Sequence, residues 1–134
     1  MPREARIELA AIKPAPRSRQ DQSPSSIRRI LAAEKSRFLA VLPSGCVRIA
    51  LDERGKQLTT ADLARKLTAW MQVGRDVAFM IGSADGLDQE LKTSADLVLC
   101  LSAMTLPHAL VRVLLAEQLY RAMSMIQNHP YHRE

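Results

Sequence analysis

Apolar and polar residues alternate from Arg6 through Ile7, Glu8, Leu9 and Ala10 to Ile12, the two-residue period of a strand with one buried face. Pro14, Pro16 and alternating charges then predict a mobile loop over 13–24. Ser23-Pro24 opens a helix, with Ser as N-cap and Pro at the first helical position. That helix runs to about Leu42, with Ile27, Ile30, Leu31, Phe38 and Leu39 facing inward. Residues 46–51 read as a short strand and 52–56 as a turn. Thr59 or Thr60 caps a second helix to about Val73, in which Leu63, Leu67, Trp70 and Met71 keep helical spacing. Gly74 is its natural end. The unbroken apolar runs 77–81 and 97–101 read as strands buried on both faces. A short helix near 88–93 lies between them. The longest helix starts at Thr105-Leu106-Pro107 and reaches about Ile126, ahead of a tail at 127–134. Strand and helix in regular alternation predict an α/β fold, a parallel sheet with helices on both faces, as one domain over 1–134. In such sheets ligands bind beyond the carboxyl ends of the strands, so the loops at 51–56, 82–86 and 101–107 should share one edge.

Composition changes this picture little. Apolar residues make up 47% of the 134 and charged residues 25%, ordinary values for a folded globular chain. No stretch approaches the roughly 18 uninterrupted apolar residues that a membrane span needs. The first residues carry charges with no apolar core behind them, which excludes a secretory signal in this stretch. Cys46 and Cys100 have neither CxxC nor Cys/His metal spacing and read as reduced thiols of a cytoplasmic protein, with no metal site expected. Charge is more informative. Residues 1–40 hold nine Lys/Arg and four Asp/Glu, whereas 41–134 hold ten of each, so the whole net charge of +5 sits in the first third. Arg17, Arg19, Arg28, Arg29, Lys35 and Arg37 form either a solvated basic face or a surface for phosphate backbones.

Three segments carry candidate chemistry. Gly82-Ser83-Ala84-Asp85-Gly86 lies between a strand and a helix, where glycines permit close approach to a ligand or a tight βα turn. It fits neither a dinucleotide fingerprint nor a P-loop. Leu101-Ser102-Ala103-Met104-Thr105-Leu106 combines backbone donors and acceptors and two hydroxyls with apolar surfaces, a combination that suits an adenine and a sulfonium-bearing chain. A plain strand-to-helix connection has the same composition. The tail packs His129, Tyr131, His132 and Arg133 into its last seven residues, groups that titrate near neutrality, stack on bases and pair with phosphate. The apolar stripe of the last helix (Leu110, Val111, Leu114, Leu115, Leu119, Ala122, Met123, Ile126) is wide enough for burial on more than one side.

Together these segments resemble a known family. The run LSAMTLPHALVRVLLAEQLYRAMSMIQNHPYHRE, from Leu101 to Glu134, is similar nearly residue for residue to the end of the RlmH rRNA pseudouridine methyltransferases, members of the knotted SPOUT superfamily. IGSADGL, from Ile81, matches in position the family's Ile-Gly-Gly-x-x-Gly-Leu segment. LDERGKQLTTADLARKL, from Leu51, resembles the strand, turn and helix leading to it. The likeness covers most of the chain from residue 45 onward and is fainter over 1–42.

The resemblance implies a homodimeric enzyme with a C-terminal trefoil knot, a rare exception to unthreaded chains. It implies transfer of a methyl group from S-adenosylmethionine to N3 of a pseudouridine in 23S rRNA, on assembled ribosomes. By motif match the cofactor would touch Leu51, Gly82, Leu101, Ser102, Ala103, Met104, Thr105 and Leu106 within the knot. His129, Tyr131 and His132 would lie near the target nucleotide as candidate catalytic groups, with His129 or Tyr131 as the base. Arg133, Arg28 and Arg29 would hold RNA, with neither metal nor membrane involved. Two departures stand out. Ser83 replaces the family's second glycine, so retained but weaker cofactor binding is expected. Met1-Pro2-Arg3 aligns with the loop after the family's first strand and helix, which this chain lacks; the exposed sheet edge should make it less stable than a full-length relative. The alternative these departures suggest is a catalytically silent RNA- or ribosome-binding SPOUT protein.

Overall fold

The computed structural model describes residues 23–83 and 85–127, so the expected strand at 6–12 and the loop before Ser23 lie outside the described residues. Four helices and three strands follow in the order α1 (Pro24–Val41), β1 (Val47–Gln57), α2 (Thr60–Gln72), β2 (Val77–Met80), α3 (Gln89–Ser94), β3 (Leu97–Cys100) and α4 (His108–Ile126). The sheet has the order β2-β1-β3 and both pairings are parallel. Val47 pairs with Val77 and Ala50 with Met80 on one side, while Ile49 pairs with Leu97 and Leu51 with Leu99 on the other. The central strand is the driest: Val47, Ile49 and Ala50 are fully buried. β-branched and aliphatic residues there bury both pleat surfaces while the backbone is satisfied along both edges.

Side chains alternate between two helical layers. Leu51, Val77, Phe79, Ile81 and Leu101 pack toward Leu63, Ala64 and Leu67 of α2 and Leu115, Leu119, Ala122 and Met123 of α4. Ala50, Met80 and Val98 point the other way, toward Leu91 of α3, Leu87, and Phe38 and Leu42 at the end of α1. The predicted α/β architecture with helices on both faces is therefore present. The two-residue period of the strands sorts one apolar run into two separate cores.

Local signals act where the sequence places them. Ser23 caps α1, its hydroxyl accepting from the Ser26 N–H at 3.2 Å. Thr59, rather than Thr60, caps α2 through a full capping box: its hydroxyl accepts from the Asp62 N–H at 3.0 Å, and the Asp62 carboxylate accepts from the Thr59 N–H at 3.3 Å. Gly74, at φ +72°, ends α2 with paired bonds from Gly74 N–H to Met71 O and from Arg75 N–H to Trp70 O. Asp96 secures the sheet's entry edge, its carboxylate accepting from the Arg48 N–H at 2.8 Å.

Three expectations need correction. The segment 52–56 is not the end of its strand. The chain leaves the ladder after Leu51 and returns to pair Lys56 with Leu99 and Gln57 with Cys100. Gly55 permits this return, because a Cβ there would lie 2.7 Å from the Val98 carbonyl oxygen. Leu39 does not face inward but is 43% exposed; the inner face of α1 instead runs Glu34, Phe38, Leu42 at four-residue spacing. Finally, α4 begins at His108, with Pro107 as a cap that makes no side-chain bond.

The capping box yields a prediction. Hydrogen bonds from the Thr59 backbone and hydroxyl, with the Arg65 guanidinium nearby, hold the Asp62 carboxyl below its ordinary value. A depressed carboxyl stabilises the fold above its unfolded-state pKa, and that contribution is lost as the pH falls through the folded value. Thr59→Ala should cost about 1 kcal/mol near neutrality and lower the thermal midpoint. The difference from the parent should shrink on acidification, as thermal melts across the acid range would show.

Candidate functional site

Parallel pairing brings the carboxyl ends of all three strands to one edge, and three connections meet there: 52–55 within β1, 81–88 after β2 and 101–107 after β3. They are joined to one another and to the helices. Thr105 donates its hydroxyl to the Glu53 carboxylate at 2.6 Å, linking the third connection to the first. Lys92 of α3 reaches Asp52 at 3.3 Å. Ser83 donates its hydroxyl to the Glu34 carboxylate of α1 at 2.9 Å, and Lys35 meets Glu90 of α3 at 2.6 Å. That contact with Glu90 raises the Lys35 pKa above its ordinary value.

The residues proposed for a cofactor divide by role. Leu51 and Leu101 are half-buried members of the core between the sheet and the α2–α4 layer, and Leu106 is half-buried beyond them. The Ser102 hydroxyl accepts from the Met104 N–H at 3.0 Å, which bends the 101–107 connection back on itself. Ala103, Met104 and Thr105 are exposed, Met104 at 75%. Among the described residues, the backbone N–H groups of Ala103, Thr105 and Leu106 enter no backbone hydrogen bond. The segment thus offers open backbone donors beside the half-buried side chains of Leu101 and Leu106.

Gly82 serves a purpose visible in the chain itself. A Cβ on it would fall 2.3 Å from the Gly86 carbonyl oxygen, so the backbones of Gly82 and Gly86 are in direct contact. The turn is closed by the Gly86 N–H donating to Ser83 O at 2.9 Å, and Gly86 takes φ +85°. The glycines are required by the turn before any ligand is considered.

Arg28 and Arg29 are exposed on the first turns of α1. At 1.5 Å per residue they stand within roughly 9 Å, along the axis, of the Glu34 contact with the edge. The expected catalytic residues His129, Tyr131 and His132, and the RNA contact Arg133, lie outside the described residues. Among the described residues no group of three or more His, Cys, Asp or Glu could hold a metal ion, and no helix is long and apolar enough to cross a membrane.

Sequence reasoning missed Glu34, Asp52 and Glu53. For Glu34 a signal existed: it lies four residues before Phe38 on the inward face. The other two look like turn residues until α3 and the connection after β3 supply their partners.

Comparison with known proteins agrees with this layout. The family model described as "Predicted SPOUT methyltransferase" matches residues 1–132. Proteins named Ribosomal RNA large subunit methyltransferase H from Nitrosospira multiformis, Burkholderia ambifaria and Burkholderia vietnamiensis are each 59% identical over 133 residues, 99% of this chain and 83% of the relative. The chain belongs to the RlmH family of SPOUT methyltransferases. Within that family's layout, the carboxyl-edge connections 81–88 and 101–107 are this member's candidate site.

The Gly82 contact makes this RlmH-family site sensitive to a single methyl group. Gly82→Ala should destabilise the protein by about 1–3 kcal/mol, since the carbonyl it strikes is backbone and cannot rotate away. Chemical denaturation would measure it; an unchanged midpoint would mean that the turn yields without cost.

Proposed function

We propose that this chain methylates N3 of a pseudouridine in 23S rRNA on assembled ribosomes in the cytoplasm, with S-adenosylmethionine as donor, and acts as a knotted homodimer. The observation that carries this reading is the coincidence, in an RlmH-family chain, of open backbone donors and aliphatic walls on the connection 101–107 at the sheet's carboxyl edge. Leu51, Leu101 and Leu106 would wall the adenosine, and the N–H groups of Ala103, Thr105 and Leu106 would fix its polar edge. The bound donor supplies a methyl group already activated by a sulfonium centre.

What remains for the protein is alignment and one proton. N3 of pseudouridine carries an imide hydrogen and becomes a competent nucleophile only as that hydrogen leaves. His129 or Tyr131 would accept it or stabilise the imide anion, with His132 beside them. Arg133, Arg28 and Arg29 would hold the phosphate backbone. Placing nucleophile and methyl carbon in line accounts for much of the rate in a displacement of this kind.

Dimerisation is supported by the outer face of α4, which leaves Leu110 43%, Val113 64% and Tyr120 48% exposed, with Met104 exposed on the connection before it. A long helix that is apolar on both sides is accounted for when a second copy covers the outer side.

Calorimetric titration with S-adenosylmethionine tests the first requirement. A folded dimer that binds none would overturn the proposal. On ribosomes from a strain lacking the modification, the parent should transfer methyl groups. His129→Ala or Tyr131→Ala should reduce the rate by about 10²–10⁴-fold, the usual contribution of a positioned base. Binding of ribosomes without any transfer by the parent would instead identify a silent RNA-binding relative.

A further inference from the structure

We infer that Glu34 is a positioning residue for the methyl-donor site, its buried carboxylate holding the hydroxyl of Ser83 and thereby the turn after β2. The inference rests on the reading that this turn borders the donor.

Helix α1 has one buried residue, and it is this carboxylate, at 4% exposure. Removing a carboxylate from water is costly unless hydrogen bonds replace its hydration. A helix needed only to cover the sheet would be as well served by an apolar side chain at that position. The inner face of α1 shows where the carboxylate is used. Phe38 and Leu42 pack on the cluster of Ala50, Met80, Leu87 and Leu91. One turn earlier, where that apolar cluster stops, Glu34 meets Ser83 at 2.9 Å. The next residue, Lys35, ties the same turn of α1 to Glu90 of α3.

Ser83 is thus held at both ends. Its hydroxyl is bound to Glu34, and its carbonyl accepts the Gly86 N–H that closes the turn. Gly82 beside it is in backbone contact with Gly86, so displacement of Ser83 displaces the whole turn.

The test uses the full chain, with calorimetric titration of S-adenosylmethionine, the KM for that donor in methyl transfer to ribosomes, and thermal melts of each variant. Ser83→Ala and Glu34→Leu should each weaken donor binding about tenfold, while Glu34→Gln, which keeps an acceptor oxygen, should stay within about twofold of the parent. The loss should appear in KM for the donor rather than in kcat at saturation. Combining Ser83→Ala with Glu34→Leu should cost clearly less than the product of the two single effects, since both remove the contact between them. If Glu34→Leu does not fold, Ser83→Ala against the parent and Glu34→Gln carries the comparison. Unchanged affinity with a lowered melting temperature, or single effects that multiply in the double variant, would overturn the inference. A parent that binds the donor while its variants bind equally well sinks only the role of Glu34. A parent that binds none removes the donor site and this inference with it.

Discussion

The burial of β1, paired in parallel along both of its edges, is the constraint on which the remaining structure depends. Val47, Ile49 and Ala50 are removed from water entirely. A strand in that position can expose no backbone polar group, so both neighbours must be present and in register. Parallel neighbours cannot be joined by tight turns; each needs a crossover long enough to return to the starting edge. Those crossovers are α2 and α3, and because they lie on opposite faces they cover both sides of the sheet. The gathering of three connections at the carboxyl edge follows from this geometry before any functional requirement is considered.

What the sequence made legible was local or periodic. The apolar runs at 77–80 and 97–100 are strands as expected, although Met80, Leu99 and Cys100 alone among them are buried and the others are half-buried, and Ser23-Pro24 and Gly74 mark helix ends by local chemistry. What it hid was decided by distant partners. Asp52 to Gly55 have turn composition, and only the backbone of Val98 and Leu99 shows that the strand resumes afterwards. Leu39 was expected inward on apolar character, but the face of α1 is set by the cluster that Phe38 and Leu42 meet. The site divides in the same way. Its three loops could be named from the alternation of elements, whereas the Thr105–Glu53 and Ser83–Glu34 contacts join residues 52 and 49 positions apart. The tail histidines and Tyr131 were recognisable as chemistry, but their assignment to a target base came from family likeness, because no local pattern specifies a nucleotide.

Polar contacts at this edge differ in weight. Arg65 with Asp62 and Arg121 with Glu117 are pairs along single helices and tie no separate elements together. Lys92 with Asp52 and Thr105 with Glu53 join separate elements, and their value is geometric: they limit how far the connections can drift apart. The helix that carries exposed Arg28 and Arg29 is joined to the same edge through Glu34 and Lys35. The first turns of α1 and the connection that follows β2 are thereby held in one fixed relation.

The backbone contact between Gly82 and Gly86 bears on affinity as well as on shape. A loop that waits for its ligand before taking form must surrender its freedom at the moment of binding, and that loss is subtracted from every contact the ligand makes. Here the turn is closed by its own atoms, so its entropy was given up when the chain folded. A turn closed in this way adds no ordering cost of its own to an encounter with whatever binds beside it.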